Sequence, residues 1–139
     1  MQFTGICSRR IRRAGKLRTI DIGKGGNSFA HHRYLESAAA EIFGRLAKER
    51  NLKGLGPVQF SDRAAYYFGE LNALHPFREG NGRTQREFIS HLAQSNGYYI
   101  AWENMGRRNL LDASIRSFKG DLSPLTQLIR ENLVPSAYE

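Results

Sequence analysis

Apolar positions along the chain fall into five stripes at helical spacing and one short alternating stretch. Residues 33–50 carry Leu35, Ala38, Ala39, Ile42, Phe43 and Leu46 three or four apart, which predicts one amphipathic helix. Gly54, Gly56 and Pro57 close that segment. A second helix is expected from Ser61 as N-cap, with Ala64, Tyr67, Phe68, Leu71 and Leu74 on one face. After a loop at 75–80, a third helix starts near Gly82, carries Phe88, Ile89, Leu92 and Ala93, and stops at Asn96-Gly97. Two further stripes follow, Leu110, Leu111, Ile115 and Phe118, then Leu125, Leu128, Ile129 and Leu133. The exception lies at the front. Ile20 and Ile22 alternate around Asp21, Gly23-Lys24-Gly25-Gly26-Asn27 reads as a turn, and Ser28-Phe29-Ala30 returns, which predicts a β-hairpin. The expected fold class is all-α, a compact helical bundle carrying one β-hairpin.

Composition narrows this picture without changing it. A chain of 139 residues with 40% hydrophobic and 24% charged residues is sized for one globular domain. Its one cysteine, Cys7, excludes an internal disulfide framework. It has no apolar run of membrane-spanning length and no signal-peptide pattern, so a cytoplasmic protein without a membrane partner is expected. The net charge of +8 is unevenly spread. Six bases, Arg9, Arg10, Arg12, Arg13, Lys16 and Arg18, precede the first acid, Asp21; removing them from the 21 leaves 15 against 13 acids. Residues 1–14 therefore read as a basic N-terminal segment, truncated or divergent, and 15–139 as the domain. An arginine-rich end with Tyr66, Tyr67, Tyr98 and Tyr99 could serve a nucleic-acid-binding module. A solvated stretch, with tyrosines buried or lining a groove, is the simpler reading, so nucleic acid is not the expected partner.

The chemistry concentrates in His75-Pro76-Phe77-Arg78-Glu79-Gly80-Asn81-Gly82-Arg83-Thr84-Gln85-Arg86. Gly80-Asn81-Gly82 falls where a loop enters a helix, and glycines there let a ligand approach the backbone. The first N–H groups of a helix lack partners within it and attract anions. Arg83 and Arg86 follow on neighbouring parts of the first two turns, and guanidinium forks match phosphate oxygens. Glu79 supplies a carboxylate for Mg²⁺ beside those phosphates. His75 titrates near neutrality and is placed to act as a base. Singly, each feature is commonplace: a turn, a solvated arginine, a helix-end histidine, an Arg83–Glu87 pair. Their co-occurrence in this order points to a polyphosphate site.

This segment resembles the signature of the Fic family, H-x-F-x-[D/E]-G-N-G-R-x-x-R, with every specified position filled. The stretch LRTIDIGKGG also resembles the Fic flap at a suitable distance upstream, and the likeness covers roughly residues 15–133. The resemblance implies an adenylyltransferase, which moves AMP from ATP to a hydroxyl of a target protein with release of pyrophosphate. It assigns His75 as general base and Phe77 as a structural anchor of the loop. Glu79 would hold Mg²⁺ between the α- and β-phosphates, and Gly80, Asn81 and Gly82 would form the anion hole. Arg83 would engage the phosphates and Arg86 the γ-phosphate, while Lys24 and Gly25 at the flap tip would lie over the nucleotide. The target's Ser, Thr or Tyr would dock on the flap. An inactive remnant that binds nucleotide or a partner is the alternative.

The resemblance also bears on control. Short toxin-like members are commonly inhibited by a helix bearing S/T-x-x-x-E-G/N, whose glutamate pairs with the second motif arginine, here Arg86. Ser37-x-x-x-Glu41 has the spacing, but Ile42 follows it. Glu131-Asn132 has the ending, but Gln127 holds the Ser/Thr position. Both glutamates read as ordinary helical residues, so the inhibitor is expected on a separate antitoxin-like protein.

Overall fold

The second helix organises everything else, because among the described elements it carries the most buried residues. The computed structural model describes residues 17–24, 27–77 and 79–136, with Lys24 and Asn27 described by their backbone alone; Gly25 and the basic 1–14 segment lie outside the described residues. Within them, a flap of β1 (Gly23–Lys24) and β2 (Asn27–Ser28) precedes α1 (Leu35–Lys48) and α2 (Pro57–Leu74). Then come α3 (Asn81–Ser95), β3 (Tyr98–Ile100), α4 (Arg107–Phe118), α5 (Ser123–Glu131) and β4 (Leu133–Pro135). This is the helical bundle with a hairpin that the hydrophobic pattern predicts.

Phe60, Ala64, Ala65, Tyr67, Phe68 and Leu71 bury α2 among its neighbours, and the two alanines let other helices approach its axis. Leu35, Ala39, Ile42 and Leu46 form the buried stripe of α1. Phe88, Ile89, Leu92 and Ala93 do the same for α3, and Leu125 and Ile129 for α5. After α1 the chain turns through Arg50, Asn51 and Leu52, all at positive φ, a costly conformation for residues other than glycine. Complete burial of Leu52 compensates. Arg63 also grips both oxygens of Glu49 at 2.7 Å, which fastens the exit of α1 to α2.

Four local expectations need correction. First, α2 starts a turn before Ser61. Pro57 is pre-organised for a first helical position, and the buried Ser61 hydroxyl donates back to the Pro57 carbonyl at 2.7 Å instead of capping. Second, the flap strands take up three of the five residues read as a turn, together with Ser28, with Gly23 opposite Ser28 and Lys24 opposite Asn27. Ile20 is 43% exposed, and its carbonyl is taken by the Arg18 side chain, which replaces a ladder bond there. Third, Leu111 and Ile115 are exposed, since α4 stands at the rim of a cavity and is buried mainly through Ala113. Fourth, Leu133 has left the last helix and pairs as β4 with Ile100. Among the tyrosines, Tyr67 is buried, Tyr66 and Tyr98 are half-buried, and Tyr99 is 55% exposed with its hydroxyl on Glu103.

Candidate functional site

The loop between α2 and α3 is shaped by its own residues before any ligand is considered. His75 ends α2 in the left-handed region (φ 44°, ψ 61°), and its N–H closes on the Leu71 carbonyl at 2.9 Å. The reversal sends Pro76 and Phe77 into the core, where Phe77 is 3% exposed. Asn81 then grips the loop from the start of α3. Its Oδ1 accepts from the Phe77 N–H at 2.9 Å and its Nδ2 donates to the Phe77 carbonyl at 2.6 Å. Gly80 sits at φ 78°, a conformation that glycine tolerates, and turns the chain into the helix. The Thr84 N–H reaches the Gly80 carbonyl at 3.0 Å, so the N–H groups just before it project beyond the helix end.

Orientation of the His75 ring is set on two sides. Nδ1 lies 3.2 Å from the Asn72 carbonyl, an oxygen that only accepts. That bond places the ring proton on Nδ1 and the basic lone pair on Nε2. The ring also stacks on Phe29, with centroids 3.7 Å apart and planes 6° from parallel. Phe29 directly follows β2 and meets Phe118 of α4 edge-on at 5.5 Å. The histidine is thus joined to the flap through one ring.

A cavity of about 770 Å³ opens beside this loop. His75, Glu79, Gly80, Asn81, Gly82 and Arg86 all line it. The Arg86 guanidinium lies against Gly82, where an added Cβ would stand 3.3 Å from Nη1. The hole therefore combines exposed backbone N–H groups with one cation at the positive end of α3, a setting for anions. Glu79 is exposed beside it, a hard oxygen donor of the kind Mg²⁺ takes together with phosphate oxygens. Two predicted residues fare differently. Asn81 contributes by its backbone, because its side chain is committed to the loop, and Arg83 is exposed and not among the lining residues. Lys24 stands in β1 of the flap, its backbone opposite Asn27.

The opposite wall comes from parts of the chain that no motif marked. Trp102, Glu103, Arg107, Leu110 and Leu111 line it from the start of α4 and the turn before it. Asn72 ties the two walls, its Nδ2 donating to the Ser114 carbonyl at 3.1 Å. These side chains are far from the loop in sequence, and only the tertiary fold brings them there.

At the base of the flap, Asp21, His31 and His32 sit together. The Asp21 carboxylate accepts from the His32 N–H at 2.8 Å and contacts both imidazoles, at 2.8 and 3.2 Å. The His32 N–H is the main reason its carboxyl is held below the usual carboxylate range. His31 Nδ1 accepts the Arg33 N–H, which leaves the neutral ring's proton on Nε2, facing Asp21. Hydrogen bonding accounts for this group as a latch between the two flap arms.

The Fic/DOC family model matches residues 2–93. The protein adenylyltransferase VbhT of Bartonella schoenbuchensis is 52% identical over 86% of this chain, which spans 25% of that relative. Among solved structures, BepC of Bartonella tribocorum with bound AMPPNP superposes with a TM-score of 0.84 at 26% identity, covering 90% of this chain and 67% of that one. The N-terminal Fic domain of a VirB-translocated effector from Bartonella quintana with bound ADP gives 0.81 at 30% identity, covering 86% and 57%.

Proposed function

The chain belongs to the Fic/DOC family, and from that premise we propose that residues 15–139 form a protein adenylyltransferase that uses ATP and Mg²⁺. The observation that carries this reading is one cavity wall holding His75, Glu79, the Gly80–Gly82 helix end and Arg86 together. Support from relatives is twofold: VbhT is an adenylyltransferase, and BepC and the B. quintana domain have AMPPNP and ADP bound.

In this reading the helix end and Arg86 hold the triphosphate, with Arg86 on the γ-phosphate. Arg83 reaches the phosphates from the rim, and Lys24 and Gly25 lie over the nucleotide from the flap. Glu79 would hold Mg²⁺, which supplies neutralisation of the phosphate charge. The target hydroxyl approaches the α-phosphorus opposite the pyrophosphate. His75 Nε2 takes its proton, the new O–P bond forms, and the bond from α-phosphorus to the bridging oxygen breaks, releasing pyrophosphate. Positioning and electrostatics carry this step, as in other phosphoryl transfers. ATP as donor implies a cytoplasm as the place of action; among the described residues no helix is long and apolar enough to cross a membrane.

The finer reading is a short, toxin-like enzyme restrained by a separate antitoxin-like protein, whose glutamate would occupy Arg86 and deny the γ-phosphate its place. The test is incubation with α-labelled ATP, Mg²⁺ and a bacterial lysate. Labelled protein bands that vanish with His75→Ala are expected. No labelling by the wild-type chain, with nucleotide binding intact, would favour the inactive remnant.

A further inference from the structure

Arg18 belongs to the basic stretch read from sequence as solvated, yet it is 3% exposed. Its backbone N–H donates to the Pro76 carbonyl at 2.9 Å. The guanidinium donates to four more carbonyls: Nε to His75 at 2.7 Å, Nη1 to Ile20 at 2.8 Å, Nη2 to Leu74 at 3.1 Å and also to Ala30. Leu74 and His75 are the end of α2, where carbonyls have no partner within the helix. Ile20 and Ala30 stand on either side of the flap, one before β1 and one after β2. One buried side chain thus joins both flap arms to the histidine loop.

The residue type suits the task. Arginine carries five donors in a rigid planar fork, so it reaches carbonyls on several sides at once; lysine has three donors on a single nitrogen. Its charge is tolerated because the C-terminal end of the 18-residue α2 is the negative end of the helix dipole. Asp21, 3.9 Å away, adds a weaker attraction. Two hydrogen bonds and one ring contact in the same region share the load: Phe29 N–H to Ile22, Ala30 N–H to Ala73, and the Phe29–His75 stack.

We propose that Arg18 is a positioning residue that fixes the flap relative to His75, and so sets how a hydroxyl docked on the flap meets the base. It has no part in the phosphate hole, which is built on α3. This inference rests on the adenylyl-transfer reading, and its test separates the two. In Arg18→Lys, which keeps the charge and loses the fork, transfer from α-labelled ATP to lysate protein should fall roughly tenfold to a hundredfold. Affinity for a non-hydrolysable ATP analogue should stay within about twofold, since only a misplaced target is at stake. Amide exchange at Phe29, Ala30 and His75 should accelerate together, while α5 amides keep their protection. Unchanged transfer, or transfer and nucleotide affinity lost in equal measure, overturns the proposal. So does exchange that rises equally in the flap and in α5, which would make Arg18 a general stabiliser. If the wild-type chain transfers no label, the adenylyl-transfer reading falls, and exchange still decides Arg18. Joint acceleration at the flap and His75 then supports the coupling, and acceleration confined to the flap refutes it. Arg18→Met, which removes the charge, should show the same pattern more strongly wherever it folds.

Discussion

Among the described residues, two short strand pairs look alike on a diagram and are held by opposite means. The C-terminal pair joins Tyr98–Ile100 to Leu133–Pro135, segments separated by a 3-10 turn and the two α-helices α4 and α5. It is anchored by the core: Ile100 is 2% exposed, and the flanking Ala101 and Ser136 N–H groups close on Asn132 and Gly97 carbonyls at 2.9 and 2.7 Å. The flap is local in sequence and exposed at Gly23 and Ser28, and it is tied down from below by Arg18, Asp21 and the Phe29 ring. One pair is fastened to the core through Ile100; the other presents main chain next to the histidine loop. Stability and target docking should therefore be separable by mutation.

The sharpest cut falls on the flap side. His75→Ala should abolish transfer while leaving ATP binding near wild type, because the phosphate contacts come from α3. A general base contributes about 10²–10⁴-fold. Calorimetry with an ATP analogue decides the matter, and loss of binding would make His75 a structural residue.

Ile100→Ala strikes the other pair. Removing a fully buried branched side chain costs about 2–5 kcal/mol. Thermal unfolding should shift down by several degrees, at about 2–8 °C per kcal/mol for chains bracketing this size. Nucleotide binding and transfer should fall together, through loss of folded protein. Selective loss of transfer would mean that the C-terminal pair takes part in docking.

How far these elements could be read in advance follows the same division. The histidine loop, the helix end and Arg86 are contiguous in sequence, and the glycines and arginines there carry their chemistry in residue type and spacing. The hairpin was legible from its glycines, although its register was not: Arg18, held by the Leu74 and His75 carbonyls, takes the Ile20 carbonyl two residues on, and the strands pair nearer the tip. Arg18 itself was illegible, because among neighbouring arginines nothing local distinguishes a buried fork from a solvated one. The α4 wall and the Ile100–Leu133 pairing depend on contacts between distant segments, which periodicity along the chain does not encode. Leu133 matched a helical stripe because an apolar residue suits a helix face and a half-buried strand equally well.

A smaller effect is expected from the flap's outer edge. The Phe29 N–H bonds to the Ile22 carbonyl at 3.1 Å, so the next pair, Gly23 and Ser28, turns its main-chain groups away from the hairpin. These are the groups a target strand would pair with. Gly23→Pro removes one outward N–H, and should lower target modification by about tenfold, the equivalent of one charge-free hydrogen bond. Asp21→Pro should act likewise, with added loss of the latch to His32. ATP affinity should hold in both. Equal loss of modification and affinity, or loss of neither, would remove the flap from docking.

The smallest expected effect is none, and it bears on control. An inhibitory glutamate inside this chain would have to reach Arg86 in the cavity. Glu41 is exposed on α1 and pairs with Arg45 at 3.5 Å, and Glu131 ends α5 accepting from Gln127 at 2.8 Å. Neither lines the cavity that Arg86 lines. Both make i,i+4 contacts along their own helices, worth about 0.2–0.5 kcal/mol, the ordinary occupation of a surface glutamate. Glu41→Gly or Glu131→Gly should therefore leave labelling of lysate protein by the isolated chain at its starting rate, apart from a slight loss of stability from glycine within a helix. A strong rise in labelling with either variant would place the restraint within this chain and remove the need for a separate inhibitor.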